Sequence, residues 1–502
     1  MHSRDHSGDA DSLNFQRRQL SISAFPLLAR KVLRALTKLA PGNDNVVSEL
    51  LSERKGMITR RNFITTSMMT SAAAMSVRAP LFGAQRERVA DKGRLRFGVN
   101  FTPRKRWWYC WLDWDKQAIA DDLSGIASLG VDHIRIQCLW PLFQPGINTV
   151  SDRLLDNLHS LLDLADDAGL DVEVTVLNGW MSGISFLPPW VMPLARPQNG
   201  DDFNIFTSAP VIEAEKLLLR RISETVGSHR RFLGFDLGNE LGVLMGMNNP
   251  VATKDADRWA TDMLSYCDQI APGRFHVNGS DHSHWFNDFG FSRATLANTG
   301  HATVTHTYIY FDGVLDRYKY SDQASLHLAD YMIELAYAYQ RDLNRKVWTE
   351  EIGVSSKEMP PDFQPEYMDQ QVRNIAATGK SWGVTWWSSH DIDRADKSFD
   401  NYEYELGLLD LQNKPKPLGR KFKELAGELG RSPLEPLPRT TALVIPDTGL
   451  STKQWPPDWR FAKVYMDLID KGKTPCIVIE SRARDEEYLR ARGIRALIPC
   501  GC

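Results

Sequence analysis

Arg231–Glu240 reads RFLGFDLGNE, and the reading of this stretch decides the fold. Its apolar start is too short for a helix and is bounded by glycine, the pattern of a buried strand. At its end Asn239 and Glu240 leave the strand side by side. A carboxylate directly after a buried strand is costly unless it has a partner or a function. An Asn-Glu pair is also an ordinary helix start, so the stretch alone leaves both readings open. A second stretch shifts the balance. Lys346–Gly353, KVWTEEIG, is again a short strand, and it ends in Glu350 and Glu351. Two carboxylates at the ends of two strands far apart in sequence suit a barrel with its site at the strand C-termini. They also suit the two-carboxylate chemistry of glycoside cleavage.

The surrounding chain alternates strand-like and helix-like segments. Strands are expected at Arg94–Phe101, His133–Leu139, Asp171–Leu177, Arg231–Leu237, Arg274–Val277, Ala302–Tyr308, Val347–Glu350 and Gly383–Trp387. Between them, apolar residues recur at helical spacing, as at Ile119, Leu123, Ile126 and Leu129. A single long helix is expected over Ser325–Leu343. Eight strand-helix units in series argue for a closed parallel (β/α)8 TIM barrel, with a doubly wound open sheet as the alternative.

With both motifs in view, the chain resembles glycoside hydrolase clan A. These are retaining (β/α)8 enzymes that include the cellulase and mannanase family 5, and the likeness runs over roughly residues 94 to 430. The resemblance implies that Glu240 is the acid/base and Glu351 the nucleophile. Glu351 rather than Glu350 matches the family pattern, because an aliphatic residue and a glycine follow it; the strand by itself does not decide between them. Successive strand residues face opposite sides, so a regular strand sends only one of the two glutamates into the cavity, and Glu350 is expected to face the helices. The resemblance further implies that Arg135 keeps the nucleophile ionised and that Asn239 meets the sugar 2-hydroxyl. His306 and Tyr308 match the His-x-Tyr of the sixth strand, with Tyr308 donating to Glu351. Trp387, or its neighbour Trp386, would floor the reacting sugar's subsite, the other pointing into the helix layer. Trp107, Trp108, Trp111 and Trp114 are candidates to stack on further sugars, at least two of them being core. The loop NGWMSGISFLPPW after the third strand is similar to that of endo-mannosidase-like members. A β-mannan or β-mannoside is therefore the first expected substrate, then a β-glucan or β-galactoside. A glycan-binding barrel without turnover is the rival reading, and the presence of both glutamates speaks against it.

The proline-bearing RSPLEPLPR linker ends the expected catalytic domain, residues 91–432. Residues 433–502 then read as a partial βαβαβ module. It carries no G-x-G-x-x-G and resembles the start of the flavodoxin-like domain through which some clan members form trimers. A homo-oligomer through this module is the partner expectation, beside a β-linked oligo- or polysaccharide.

The other end differs. Residues 1–56 are polar and basic and read as a non-native or disordered extension, with Met57 the better start. Residues 57–90 carry Thr59-Arg60-Arg61-Asn62-Phe63-Ile64 and an alanine-rich run, which resembles a twin-arginine export signal. A periplasmic or secreted protein is expected. The net charge of −3 gives no case for nucleic acid or an anionic membrane as partner. Six cysteines without paired spacings argue against a zinc site and for buried or free thiols. No H-E-x-x-H or dense His/Asp cluster occurs, so neither a metal nor another cofactor is expected.

Overall fold

The structure, a computed structural model, describes residues 93–192, 203–247, 249–287, 289–448 and 460–500. The extension at 1–56 and the twin-arginine-like segment at 57–90 lie outside the described residues. Seven parallel strands form the main sheet: β1 (Arg96–Asn100), β2 (His133–Leu139), β3 (Asp171–Asn178), β6 (Phe232–Asp236), β7 (Thr303–Thr307), β8 (Val347–Ile352) and β9 (Ser381–Trp386). A two-residue hairpin, β4 (Trp180–Met181) with β5 (Ile184–Ser185), follows β3. The order β6-β3-β2-β1-β9-β8-β7 keeps sequential strands adjacent and brings the last strand beside the first, as a curled α/β sheet requires.

The expected fifth strand, Arg274–Val277, is not a regular strand. It makes one parallel bridge, Asp236 to Val277. It nevertheless fills the gap between β6 and β7. Phe275 N donates to Leu233 O at 2.8 Å and Val277 N to Phe235 O at 2.9 Å, while His301 N donates to His276 O at 2.8 Å. Gly234 permits this approach: a Cβ there would stand 1.6 Å from the Phe275 carbonyl oxygen. The long helix expected over Ser325–Leu343 is also two pieces, Gln323–Leu326 and Leu328–Ala338, broken at His327, where φ is −114°.

Every residue of β1, β2, β6, β7, β8 and β9 is buried, because helices cover one face and the barrel interior the other. The lower interior is an aromatic plug. Trp348 and Trp382 meet at 4.8 Å, Phe275 stacks on Trp382 at 4.5 Å, and His133 packs against Trp382 at 5.2 Å. Gly98 leaves room for the His133 ring, which a Cβ would meet at 2.2 Å. The helices are amphipathic against this frame. Lys116–Ser128 buries Ile119, Leu123 and Ile126, and Asp115 caps it by accepting from Ala118 N at 3.1 Å.

The C-terminal segment forms a three-stranded parallel sheet of β10 (Thr441–Ile445), β11 (Pro475–Ile479) and β12 (Ala496–Pro499), ordered β11-β10-β12. It packs on the helix Leu328–Ala338. There the buried Glu334 carboxylate is held by Lys380, by Arg439 at 3.4 Å and by Arg492 at 3.2 Å. Cys110, Cys138, Cys267 and Cys476 are free and buried, whereas Cys500 is disulfide-bonded, which departs from the expectation of buried or free thiols throughout. No helix among the described residues is long and apolar enough to cross a membrane.

Candidate active site

The polar residues of the upper barrel interior form one network around Arg135. Along β2, His133, Arg135 and Gln137 alternate with Ile134, Ile136 and Cys138, so the period of two sends one set into the barrel and the other to the helices. Arg135 is fully buried, and all five of its N–H donors are engaged. Nε and Nη2 donate to Asp236 Oδ2 at 2.9 and 2.6 Å. Nη1 donates to Glu351 Oε1 at 2.6 Å and to Asn100 Oδ1 at 3.1 Å. Nη2 reaches Asn239 Oδ1 at 2.9 Å. Burial alone would lower the basicity of this guanidinium, but Glu350, Asp236 and Glu351 together raise it, so it stays charged.

Glu240 and Glu351 converge on this network from β6 and β8. Glu240 sits one turn beyond β6 with φ of 49°, a left-handed conformation rare for a residue with a side chain. Its N–H donates to Gly279 O at 3.0 Å, which holds the turn. His306 stands between the carboxylates: Nδ1 is 3.1 Å from Glu240 Oε1 and 3.5 Å from Glu351 Oε2, and Nε2 is 3.1 Å from Glu350 Oε2. Burial disfavours the charged ring, but Glu351 and then the bonds to Glu240 and Glu350 raise its pKa well above the ordinary value. Each ring nitrogen thus faces a carboxylate. Atoms of Glu240, His306 and Glu351 lie within 4.8 Å of one another, close enough for a metal. An imidazole set between carboxylates is also an arrangement suited to proton transfer.

Tyr308 donates its hydroxyl to Glu351 Oε2 at 2.9 Å. Burial lifts the Glu351 carboxyl above its ordinary value; His306, Arg135 and the Tyr308 bond oppose the rise, and the charge of Glu240 adds to it. Asn239 turns its amide nitrogen to Trp180 O at 2.9 Å, tying the site to the hairpin after β3. Trp387 lies in an aromatic cluster with Trp107, Trp108, Tyr308 and Phe399. Trp386 belongs to the helix side instead, packed near Phe422, and it does not line the cleft. Of the four tryptophans after β1, Trp107 and Trp108 join the cleft-side cluster, while Trp111 stacks on Trp114 at 5.8 Å in the main core.

Glu350 departs from the expectation that it faces the helices. It is fully buried in the interior, 3.4 Å from Arg135 Nε and bonded to His306. The cause is a bulge. Thr305 pairs with Thr349, but His306 pairs with Glu351, so β8 carries one residue more than β7 at Glu350. An extra residue breaks the alternation locally and lets two neighbours lean to the same side. Asp236 is a second residue that the sequence reading missed. Burial and the charge of Glu350 push its carboxyl up to about 7 against the pull of Arg135. Its signal was present in the sequence, as an acidic residue inside an apolar strand.

No family model matches the sequence, and no curated protein matches it. Solved structures do. The chain is similar to a GH5_18 protein from Streptomyces cattleya, crystallised with GlcNAc, at 34% identity and a TM-score of 0.76, over 81% of this chain and 98% of that one. A variant of that protein is solved with Manβ1-4GlcNAc at the same identity and TM-score. A GH5_18 protein from Bifidobacterium longum subsp. longum ATCC 55813 matches at 31% identity and a TM-score of 0.75, over 82% of this chain and 98% of that one. An exo-β-1,4-mannosidase from Opitutaceae bacterium strain TAV5 shares the fold, at 22% identity and a TM-score of 0.64, over 77% and 69% of the two chains.

Proposed function

The chain belongs to glycoside hydrolase family 5 and is a glycoside hydrolase, and on that premise we propose that it cleaves the β-mannosidic bond of Manβ1-4GlcNAc-type oligosaccharides with retention of configuration. The observation that carries the retaining chemistry is the convergence of Glu240 and Glu351 around His306, with ligand-bearing atoms within 4.8 Å of one another. Retaining glycosidases hold their carboxyls about 5 Å apart, whereas inverting ones leave room for a water.

Glu351 attacks the anomeric carbon as the bond to the leaving oxygen breaks, and Glu240 gives that oxygen its proton. A glycosyl ester of Glu351 results. Glu240, now ionised, takes a proton from water as the water attacks the same carbon, and Glu351 is released. Arg135 and Tyr308 hold the Glu351 carboxylate in place for attack. Asn239 takes the sugar 2-hydroxyl, and Trp387 floors the subsite. The support for the sugar is the Manβ1-4GlcNAc bound by GH5_18 relatives above 30% identity. The test is hydrolysis of Manβ1-4GlcNAc beside a panel of aryl β-glycosides, with the anomer of the released sugar followed by NMR. Faster cleavage of β-glucosides or β-galactosides would refute the sugar assignment, and first release of the α-anomer would refute the double displacement.

Three further parts complete the reading. Residues 91–432 are the catalytic domain and 433–502 a partial module like the start of a flavodoxin-like domain, a reading that the parallel strand order β11-β10-β12 supports. That module is a contact for a homo-oligomer, to be checked by light scattering of the chain with and without it. Residues 57–90 direct twin-arginine export, and a reporter fusion with Arg60 and Arg61 changed to lysine that still leaves the cytoplasm would sink this.

A further inference from the structure

A further carboxylate stands beside the aromatic cluster of the cleft and has no part in the double displacement. Glu403 lies in the long segment between β9 and the helix Pro417–Leu429 and is only 8% exposed. Ser182 Oγ donates to its Oε2 at 3.0 Å, and the Trp387 side chain also bonds it. Both donors belong to the cleft: Ser182 turns the hairpin after β3 with a left-handed φ of 49°, and Trp387 directly follows β9. Among the described residues no cation pairs with Glu403. Burial first, and then the charges of Glu351 and Glu240, push its carboxyl up to about 7 against the pull of Ser182 and Trp387. It therefore shares the electrostatic space of the two reacting glutamates.

As a loop anchor alone, a carboxylate is a poor choice here. A glutamine oxygen would accept from Ser182 and Trp387 equally well without the cost of burying charge. A carboxylate offers about four acceptor sites, and the two protein donors leave the rest open. Neutral hydroxyls are the donors that match such sites in a sugar cleft. The anomeric carbon and the 2-hydroxyl are already taken by Glu351, Glu240 and Asn239, so the hydroxyls at C3, C4 and C6 remain. We propose that Glu403 is a specificity residue that accepts hydrogen bonds from one or two of these hydroxyls on the sugar resting on Trp387. The proposal rests on the glycosidase reading of this site and adds the residue that identifies the sugar's far edge.

The experiment compares an aryl β-mannoside with its 3-, 4- and 6-deoxy analogues, on the full chain and on Glu403→Gln. For the unaltered chain, at least one analogue should lose about 10- to 100-fold in kcat/KM, the effect of removing one partner of a charged, buried hydrogen bond. Glu403→Gln should lose a comparable factor on the parent sugar, and the penalty for that same analogue should shrink to about threefold or less. Ser182→Ala, which keeps the carboxylate and frees one of its anchors, should shrink the same penalty partly. If Glu403→Gln loses an equal factor on the parent and on all three analogues, the residue is a loop anchor and the proposal is overturned; the Ser182→Ala result decides in the same way should Glu403→Gln fold poorly. No hydrolysis of any aryl glycoside by the unaltered chain would instead overturn the glycosidase reading beneath it.

Discussion

Arg135 Nη1 meets Glu351 Oε1 at 2.6 Å, as close as its Nη2 comes to Asp236 Oδ2. The same guanidinium holds Asp236 and approaches Glu350 at 3.4 Å, so one cation serves three buried carboxylates. Removing it leaves them facing one another. Arg135→Met should cost about 3–5 kcal/mol of stability, the scale for breaking a buried ion pair from one side. It should also lower kcat by at least about 100-fold. Urea midpoints and steady-state kinetics check both, and a variant as stable as the parent would contradict the network.

The three glutamates separate by rescue chemistry. Glu351→Ala should abolish turnover, and added azide should restore it with an inverted glycosyl azide as product. Glu240→Ala should spare substrates such as dinitrophenyl glycosides, whose leaving group needs no proton, and azide should then yield a product of retained configuration. Each loss should be on the order of 10²-fold or more. Glu350→Ala removes a partner of His306 and Arg135, so it should also impair turnover, yet azide should not rescue it. Rescue of Glu350→Ala with inversion would move the nucleophile by one residue.

On the proposed mechanism, the acid limb of kcat/KM reports ionisation of Glu351. Burial holds the Glu351 carboxyl above its ordinary value, so activity should fall with decreasing pH earlier than the usual glutamate value of about 4.3 would give. Tyr308 donates to the ionised form and lowers this pKa. Tyr308→Phe should therefore move the acid limb to higher pH. A limb that stays put or moves down would show that Tyr308 does not stabilise the nucleophile.

Gly234→Ala tests closure of the barrel. The new Cβ would fall 1.6 Å from a backbone oxygen of Phe275, and backbone cannot step aside as a side chain can. A loss of about 1–3 kcal/mol or more is expected from such overpacking, read as a lower urea midpoint or as failure to fold. Unchanged stability would mean that Arg274–Val277 does not sit against β6 as described.

Much was legible in the chain itself. Short apolar runs bounded by glycine, alternating with helical periodicity, place β1, β2, β3, β6, β7, β8 and β9 to within a few residues, because a strand buried on both faces has few other compositions. Arg135 inside one apolar run and Glu240 just past another stood out as charged residues beside buried strands, whereas Glu351 was preferred to Glu350 only through the family resemblance. What the period of two could not supply is where it fails. The bulge at Glu350 depends on how β8 pairs with β7, a relation between strands more than forty residues apart in sequence. Closure of the barrel by an irregular Arg274–Val277 depends on Gly234 lying opposite Phe275. Alternation said that one of Trp386 and Trp387 points outward, and only packing against Phe422 decided that it is Trp386. Glu403 carries no local signal at all. It meets Ser182, 221 residues away, through a loop that tertiary packing alone folds back over the site. Local pattern determines which side of an element is buried; what that side then meets is settled by the pairing and closure of the whole barrel.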